Sequence, residues 1–204
     1  QGIDIVVENV LQLNKQKALA LGVQESTIAS NIAEICSNPD VDIVIEVMGG
    51  VEPAKTFVLS ALNAGKSVVT SNKELFCKFN HELEKAAKKN NCGLFYEASC
   101  VGGVPVIRAL LDNLQGNKVL SMMGIINGTT NYILTKMTDE NASYEDVLKE
   151  AQRLGYAEAN PTADVEGFDA AYKLSILSSL AFHTKIPFSK IYRGGITHIT
   201  SEDI

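Results

Sequence analysis

Residues 41–50 read VDIVIEVMGG. Seven mostly β-branched, almost wholly apolar residues followed by Met48 and two glycines are the pattern of a strand buried on both faces of a parallel sheet and ending in a tight turn. The flanking segments continue the theme. Glu52-Pro53 opens a helix to about Ala64, closed by Gly65, with proline first and glycine last. Residues 66–70 are the next strand, residues 72–90 the next helix and residues 93–97 another strand. Toward the N-terminus, residues 30–36 are a short helix, residues 14–22 a helix or turn ended by Gly22, and residues 3–7 a further strand. This β-α-β-α-β run with short loops predicts a doubly wound parallel sheet of Rossmann type, which takes its ligands at the carboxyl ends of its strands. Those ends are residues 48–50, 71–73 and 97–103. No G-x-G-x-x-G follows any strand. If the sheet binds a dinucleotide, its pyrophosphate element is expected upstream of Gln1, and the chain reads as an excerpt of a longer polypeptide.

The second half changes character. Residues 104–114 form an amphipathic helix, residues 118–126 a strand, and residues 127–131, NGTTN, a polar turn. Thr129 or Thr130 is expected to cap a helix to about Met137, and Ser143 a further helix ending at Gly155. The division predicted is an incomplete Rossmann region over 1–103 and an α+β substrate and dimerisation region over 104–204.

Composition narrows the function classes. The chain has 204 residues, 46% hydrophobic and 21% charged, with a formal net charge of −6. That charge, and the absence of any basic run beyond Lys88-Lys89, argue against a nucleic-acid surface. No apolar stretch reaches the roughly 18–20 residues that span a bilayer. Cys36, Cys77, Cys92 and Cys100 show no C-x-x-C spacing, which favours reduced thiols and a cytoplasmic location over a zinc site.

The densest chemistry lies in residues 155–173, GYAEANPTADVEGFDAAYK. At about 100° per residue, Asp169 and Lys173 fall one turn apart on one helical face, together with Ile176 and Leu180. A carboxylate and an ammonium on an apolar face are costly to desolvate. Two readings stand: a structural ion pair, or an acid/base lysine held by a carboxylate at the wall of a polar pocket.

Five motifs, VDIVIEVMGG, VVTSNKEL, YEASCVGGVPVIRAL, GIINGTTNYILTKM and GYAEANPTADVEGFDAAYKL, occur in order across essentially the whole chain. Together they resemble homoserine dehydrogenase. The resemblance implies reduction of L-aspartate 4-semialdehyde to L-homoserine with NADPH or NADH, on the route to threonine, methionine and isoleucine. It implies a homodimer or higher oligomer. Lys173 would be the proton donor to the aldehyde oxygen, and Asp169 would hold it. Glu158 and Asp164 would serve the substrate, and Lys73 would lie near substrate and nicotinamide. Gly49, Gly50, Ser71 and Lys73 would lie along the cofactor. Glu97 with the backbone carbonyls of Cys100, Gly102 and Val104 would hold a monovalent cation such as Na⁺. Cys100 stands in place of the usual Val, Val101 where a small residue is frequent, and Asn160 where an Asp is common. Lys15 and Lys17, with no acidic residue suited to a ribose diol, favour NADP(H) over NAD(H).

Other readings are a catalytically silent core that dimerises without cofactor, and the dehydrogenase part of a bifunctional aspartate kinase–homoserine dehydrogenase. A reductase of neutral small aldehydes fits less well, because the carboxylates around Glu158 would be superfluous.

Overall fold

The computed structural model describes residues 2–204; residue 1, the start of the expected Rossmann region, lies outside the described residues. The chain divides into two compact units, Gln1–Tyr96 and Glu97–Ile204.

The first unit is built on a parallel sheet of three strands in the order β1-β2-β3, with β1 Ile43–Glu46, β2 Ser67–Thr70 and β3 Leu94–Phe95. Val44 lies opposite Val68, Glu46 opposite Thr70, and Val69 opposite Phe95. Short helices α1 (Lys15–Ala20) and α2 (Ile32–Ser37) precede the sheet, each begun by an asparagine whose side chain accepts a backbone N–H, Asn14 from Lys17 and Asn31 from Glu34. The crossovers are α3 (Ala54–Asn63) and α4 (Lys73–Lys89). Helix α3 stops where Gly65 adopts φ +75°, and Asn72 caps α4 by accepting the Leu75 N–H at 3.0 Å. Both helices pack on the sheet through fully buried Val58, Leu62, Leu75 and Leu83.

Two expectations change. Strand β1 is not covered on both faces: Val44 and Glu46 turn inward, whereas Ile43 and Ile45 are 56% and 67% exposed. Residues 3–7 form no strand, and Ile3, Ile5, Val6 and Val7 are exposed. The reasons differ. Strand β1 has its ladder with β2, but helices cover only the face that Val44 and Glu46 share. Residues 3–7 lack the ladder itself: a β-rich run becomes a strand only when another strand satisfies its backbone groups, and of residues 2–10 only Val10 finds a partner, in Ile28.

The second unit is helical among its described residues. Helix α5 (Val106–Arg108) continues into a wider turn over Ala109–Asn113. Helices α6 (Gly128–Glu140) and α7 (Tyr144–Leu154) pair through Ile133, Met137, Val147 and Ala151, joined by Ala157, Val165 and Ile196. Ser143 caps α7 as expected, accepting the Asp146 N–H at 3.2 Å. Helix α6 is capped by Asn127 rather than Thr129 or Thr130, and it runs on to Glu140. The expected strand over residues 118–126 is chain without a ladder partner, with Leu120, Met123 and Ile125 exposed.

Helix α8 (Thr162–Val165) turns into α9 (Phe168–Ala181) at Gly167. There φ is +76°, and a Cβ would meet the Gly194 carbonyl oxygen at 3.1 Å, so only glycine fits. Helix α9 is buried nearly all round, and its serines are satisfied locally: Ser175 Oγ donates to the Ile186 carbonyl and Ser179 Oγ to the Ser175 carbonyl, each at 2.6 Å.

Candidate active site

Helix α9 carries the ion pair that its sequence spacing suggests. Lys173 Nζ lies 2.7 Å from Asp169 Oδ2, the two side chains being 15% and 7% exposed. Nζ also donates to the Ile126 carbonyl at 2.7 Å. Two of the three ammonium protons are therefore directed by protein oxygens, and the third is left for whatever fills the adjoining cleft.

Asn127 was invisible as a site residue in the sequence. Its Nδ2 donates to Asp164 Oδ1 at 2.7 Å and to Asp169 Oδ2 at 2.9 Å, while its Oδ1 accepts the Thr130 N–H at 2.8 Å. One buried amide thus caps α6 and joins two carboxylates from residues 155–173. The available signal was its place before Gly-Thr-Thr, since asparagine is among the strongest N-caps.

These groups form one wall of a cleft of about 540 Å³ that Tyr132 and Tyr156 also line. The tyrosine rings lie 4.9 Å apart between centroids, and Thr129 Oγ1 holds the Tyr156 carbonyl at 2.8 Å. Asp164, Asp169 and Lys173 are brought together as the motif suggests. Glu158 is not brought to the lining: it is exposed, and its backbone carbonyl accepts from Gln152 Nε2 at 3.1 Å. Asn160 is exposed as well and binds Thr162 Oγ1 at 2.6 Å. Two carboxylates and one ammonium leave the wall negative, a field suited to a ligand that carries an ammonium group.

In the first unit, Gly49 and Gly50 follow β1 with φ of +77° and +69°, and nothing lies within 4 Å of a Cβ placed on either. Ser71 follows β2, its N–H donating to the Glu46 carbonyl at 3.3 Å, and Lys73 is the first, half-buried residue of α4. An open glycine turn beside the start of a long helix, at the carboxyl ends of parallel strands, fits a nucleotide cofactor. Lys15 is paired with Glu25 at 2.8 Å, whereas Lys17 is exposed and leaves its charge to solvent or ligand.

The loop expected to hold a cation begins at Glu97, whose carboxylate accepts the Ile107 and Arg108 N–H groups at 2.9 and 2.8 Å. Its oxygens therefore start α5, and each keeps lone pairs that can face an ion. Val101 adopts φ +56°, a strained conformation for a β-branched residue, and Gly102 follows with the same angle. Cys100 is fully buried, which suits a structural role rather than a nucleophile.

Residues 105–204 match the family model described as homoserine dehydrogenase, and residues 1–97 match that of the homoserine dehydrogenase NAD binding domain. The chain belongs to the homoserine dehydrogenase family. It is 44% identical over 203 residues to the homoserine dehydrogenase of Bacillus subtilis (strain 168), matching 100% of this chain and 47% of that protein. A homoserine dehydrogenase from Thiobacillus denitrificans, solved by crystallography, superposes with a TM-score of 0.87 at 46% identity, over 93% of this chain and 44% of the other. A hyperthermophilic archaeal homoserine dehydrogenase, solved in complex with NADPH, gives a TM-score of 0.76 at 31% identity, over 91% and 58% of the two chains. The chain thus spans about half the length of the curated relatives that it matches. Its first unit corresponds to the Rossmann-type NAD-binding part of a homoserine dehydrogenase, and its cleft lies in the part that follows.

Proposed function

We propose that the protein interconverts L-aspartate 4-semialdehyde and L-homoserine with a nicotinamide cofactor, NADP(H) in preference to NAD(H). The observation that carries the reading is Lys173: a nearly buried ammonium whose protons are aimed by Asp169 and by the Ile126 carbonyl, at the wall of a carboxylate-bearing cleft. When bound, the cofactor supplies or accepts the hydride at the substrate carbon. Lys173 gives its proton to the carbonyl oxygen during reduction, or takes it from the hydroxyl during oxidation. Asp169 holds Lys173, Asn127 holds Asp169, and Asp164 faces the ammonium of the amino-acid substrate. The resemblance adds Glu158 as a further carboxylate for that ammonium. Lys73 serves both the substrate and the nicotinamide, with Gly49, Gly50 and Ser71 along the cofactor.

The exposed Lys17 and the NADPH bound by the archaeal relative support the NADP(H) preference. A monovalent cation held by Glu97 and the carbonyls of Cys100, Gly102 and Val104 is the second element of the reading, testable as a dependence of activity on Na⁺ or K⁺. A homodimer or higher oligomer is supported by the exposed Leu120, Met123 and Ile125, and a cytoplasmic setting by four cysteines without a disulfide. No helix among the described residues is long and apolar enough to cross a membrane.

The deciding experiment titrates the protein with NADPH by nicotinamide fluorescence and assays homoserine-dependent reduction of NADP⁺. Lys173→Ala is expected to retain cofactor binding and to lose on the order of 10²–10⁴ in turnover. Turnover within tenfold of the parent would overturn the assignment.

A further inference from the structure

Glu46 is a carboxylate only 4% exposed, and the chemistry above gives it no part. It ends β1, opposite Thr70 at the end of β2. Its Oε1 accepts the Met48 N–H at 2.7 Å, and its Oε2 accepts the Thr70 hydroxyl at 2.6 Å. Thr70 Oγ1 in turn accepts the Asn72 N–H at 2.9 Å. Asn72 Nδ2 donates to the Gly50 carbonyl at 2.6 Å. The result is a closed clasp. It fixes the turn of residues 48–50 at both ends, at Met48 through Glu46 and at Gly50 through Asn72, and ties it to the start of α4.

The direction of these bonds matters. Thr70 donates its hydroxyl proton to Glu46 while accepting the Asn72 N–H, and Glu46 accepts from both Met48 and Thr70. A methionine of similar length offers no oxygen to either donor. Both donors are neutral, and a buried carboxyl group held by neutral partners is costly to desolvate, the kind of local conflict that proteins keep where function requires it.

We propose that Glu46, with Thr70 and Asn72, is a positioning residue for the nicotinamide cofactor: the clasp holds the open glycine turn against Ser71 and Lys73 so that all four meet one ligand. The inference rests on the proposed function, because it assumes that this turn meets NADPH.

The test measures the Kd of NADPH by fluorescence titration for the parent protein and for Glu46→Met, Thr70→Val and Thr70→Ser. Glu46→Met and Thr70→Val break the clasp with little change of volume. Each is expected to raise Kd about tenfold, equivalent to about 1.4 kcal/mol, and to raise the cofactor KM in parallel while the homoserine KM stays put. Thr70→Ser keeps the hydroxyl and should hold Kd within twofold of the parent. A merely structural role would lower the amount of active protein without changing the Kd of what remains. Parental Kd values in both breaking variants overturn the inference and leave the dehydrogenase reading intact. A parent protein that binds no NADPH overturns both together.

Discussion

Asn127 Nδ2 donates to Asp169 Oδ2 at 2.9 Å, across 42 positions of sequence. The bond joins the start of α6 to the carboxylate that holds Lys173, so the lysine is aimed from two helices rather than one. The same amide reaches Asp164, and the short bond from Lys173 to the Ile126 carbonyl closes the ring one residue earlier.

Substituting that amide tests the arrangement. Asn127→Asp places a third carboxylate between Asp164 and Asp169 and removes both donated bonds. Asp169 would turn away from its neighbours and Lys173 would follow. A displacement of about 1 Å at a reacting group can lower turnover on the order of 10²-fold, and a loss of that size is expected in steady-state homoserine oxidation. Activity within threefold of the parent would show that Asn127 only caps α6.

Lys173→Arg separates the two readings of the ion pair. Arginine keeps the positive charge beside Asp169, yet its guanidinium does not release a proton in proteins. A structural pair would therefore tolerate the change, with thermal stability and turnover both near the parent's. Proton transfer would not, and we expect a folded protein whose turnover lies within about tenfold of the alanine variant.

Val101 offers a stabilising substitution. A β-branched residue at φ +56° stores roughly 1–2 kcal/mol of backbone strain, whereas asparagine visits this region readily. Val101→Asn is expected to add about 1 kcal/mol to the unfolding free energy, read as a higher denaturant midpoint at unchanged slope. A lower midpoint would mean that the half-buried valine side chain contributes more by packing than its backbone loses.

The pairing of α6 with α7 should be sensitive to pH. Lys136 Nζ bonds Glu150 at 2.6 Å and approaches Glu140 at 3.4 Å. The hydrogen bond that Lys136 donates holds the Glu150 carboxyl below its ordinary range, and the same bond, accepted by Glu150, pushes the lysine up. The carboxylate's contribution is present above the unfolded value of about 4.3 and is lost as pH falls through the lower folded value. The lysine's is present below about 10.4 and is lost as pH rises through the higher folded value. Glu150→Gln should therefore lower the thermal midpoint between about pH 5 and pH 10 and flatten its fall in acid. A variant whose midpoint follows the parental curve at every pH would show the pair to be inert.

Packing provides a control remote from the chemistry. Ile133 is fully buried between α6 and α7, and Ile133→Ala should cost on the order of 2–5 kcal/mol in equilibrium unfolding while leaving cofactor affinity unchanged.

Much of the fold was legible because it is local. The helix bounds around Asn14, Asn72, Ser143 and Gly155 follow from capping chemistry that acts within four residues, and the strands after Asp42 and Lys66 follow from β-branched runs between turns. The pairing of Asp169 with Lys173 needed only the helical repeat. Residues 3–7 and 118–126 carry the same β-rich composition yet form no strand, because a ladder depends on a partner that composition does not reveal. The outward face of β1 was misread for a related reason: an apolar run shows that a strand can be covered, not that something covers it.

The sequence by itself determined the family, the alternation of strand and helix in the first unit, and the helical face shared by the carboxylate and the lysine. All of these are written in neighbours along the chain, where spacing alone sets geometry. Only the tertiary structure decided that Asn127 bridges Asp164 and Asp169, that Glu46 clasps Thr70 and the glycine turn, and that Glu158 stands away from the cleft lining. Hydrogen bonds fall off within a few tenths of an ångström. Which donor meets which acceptor across 24 or 42 residues is therefore fixed by how the elements pack, not by their order.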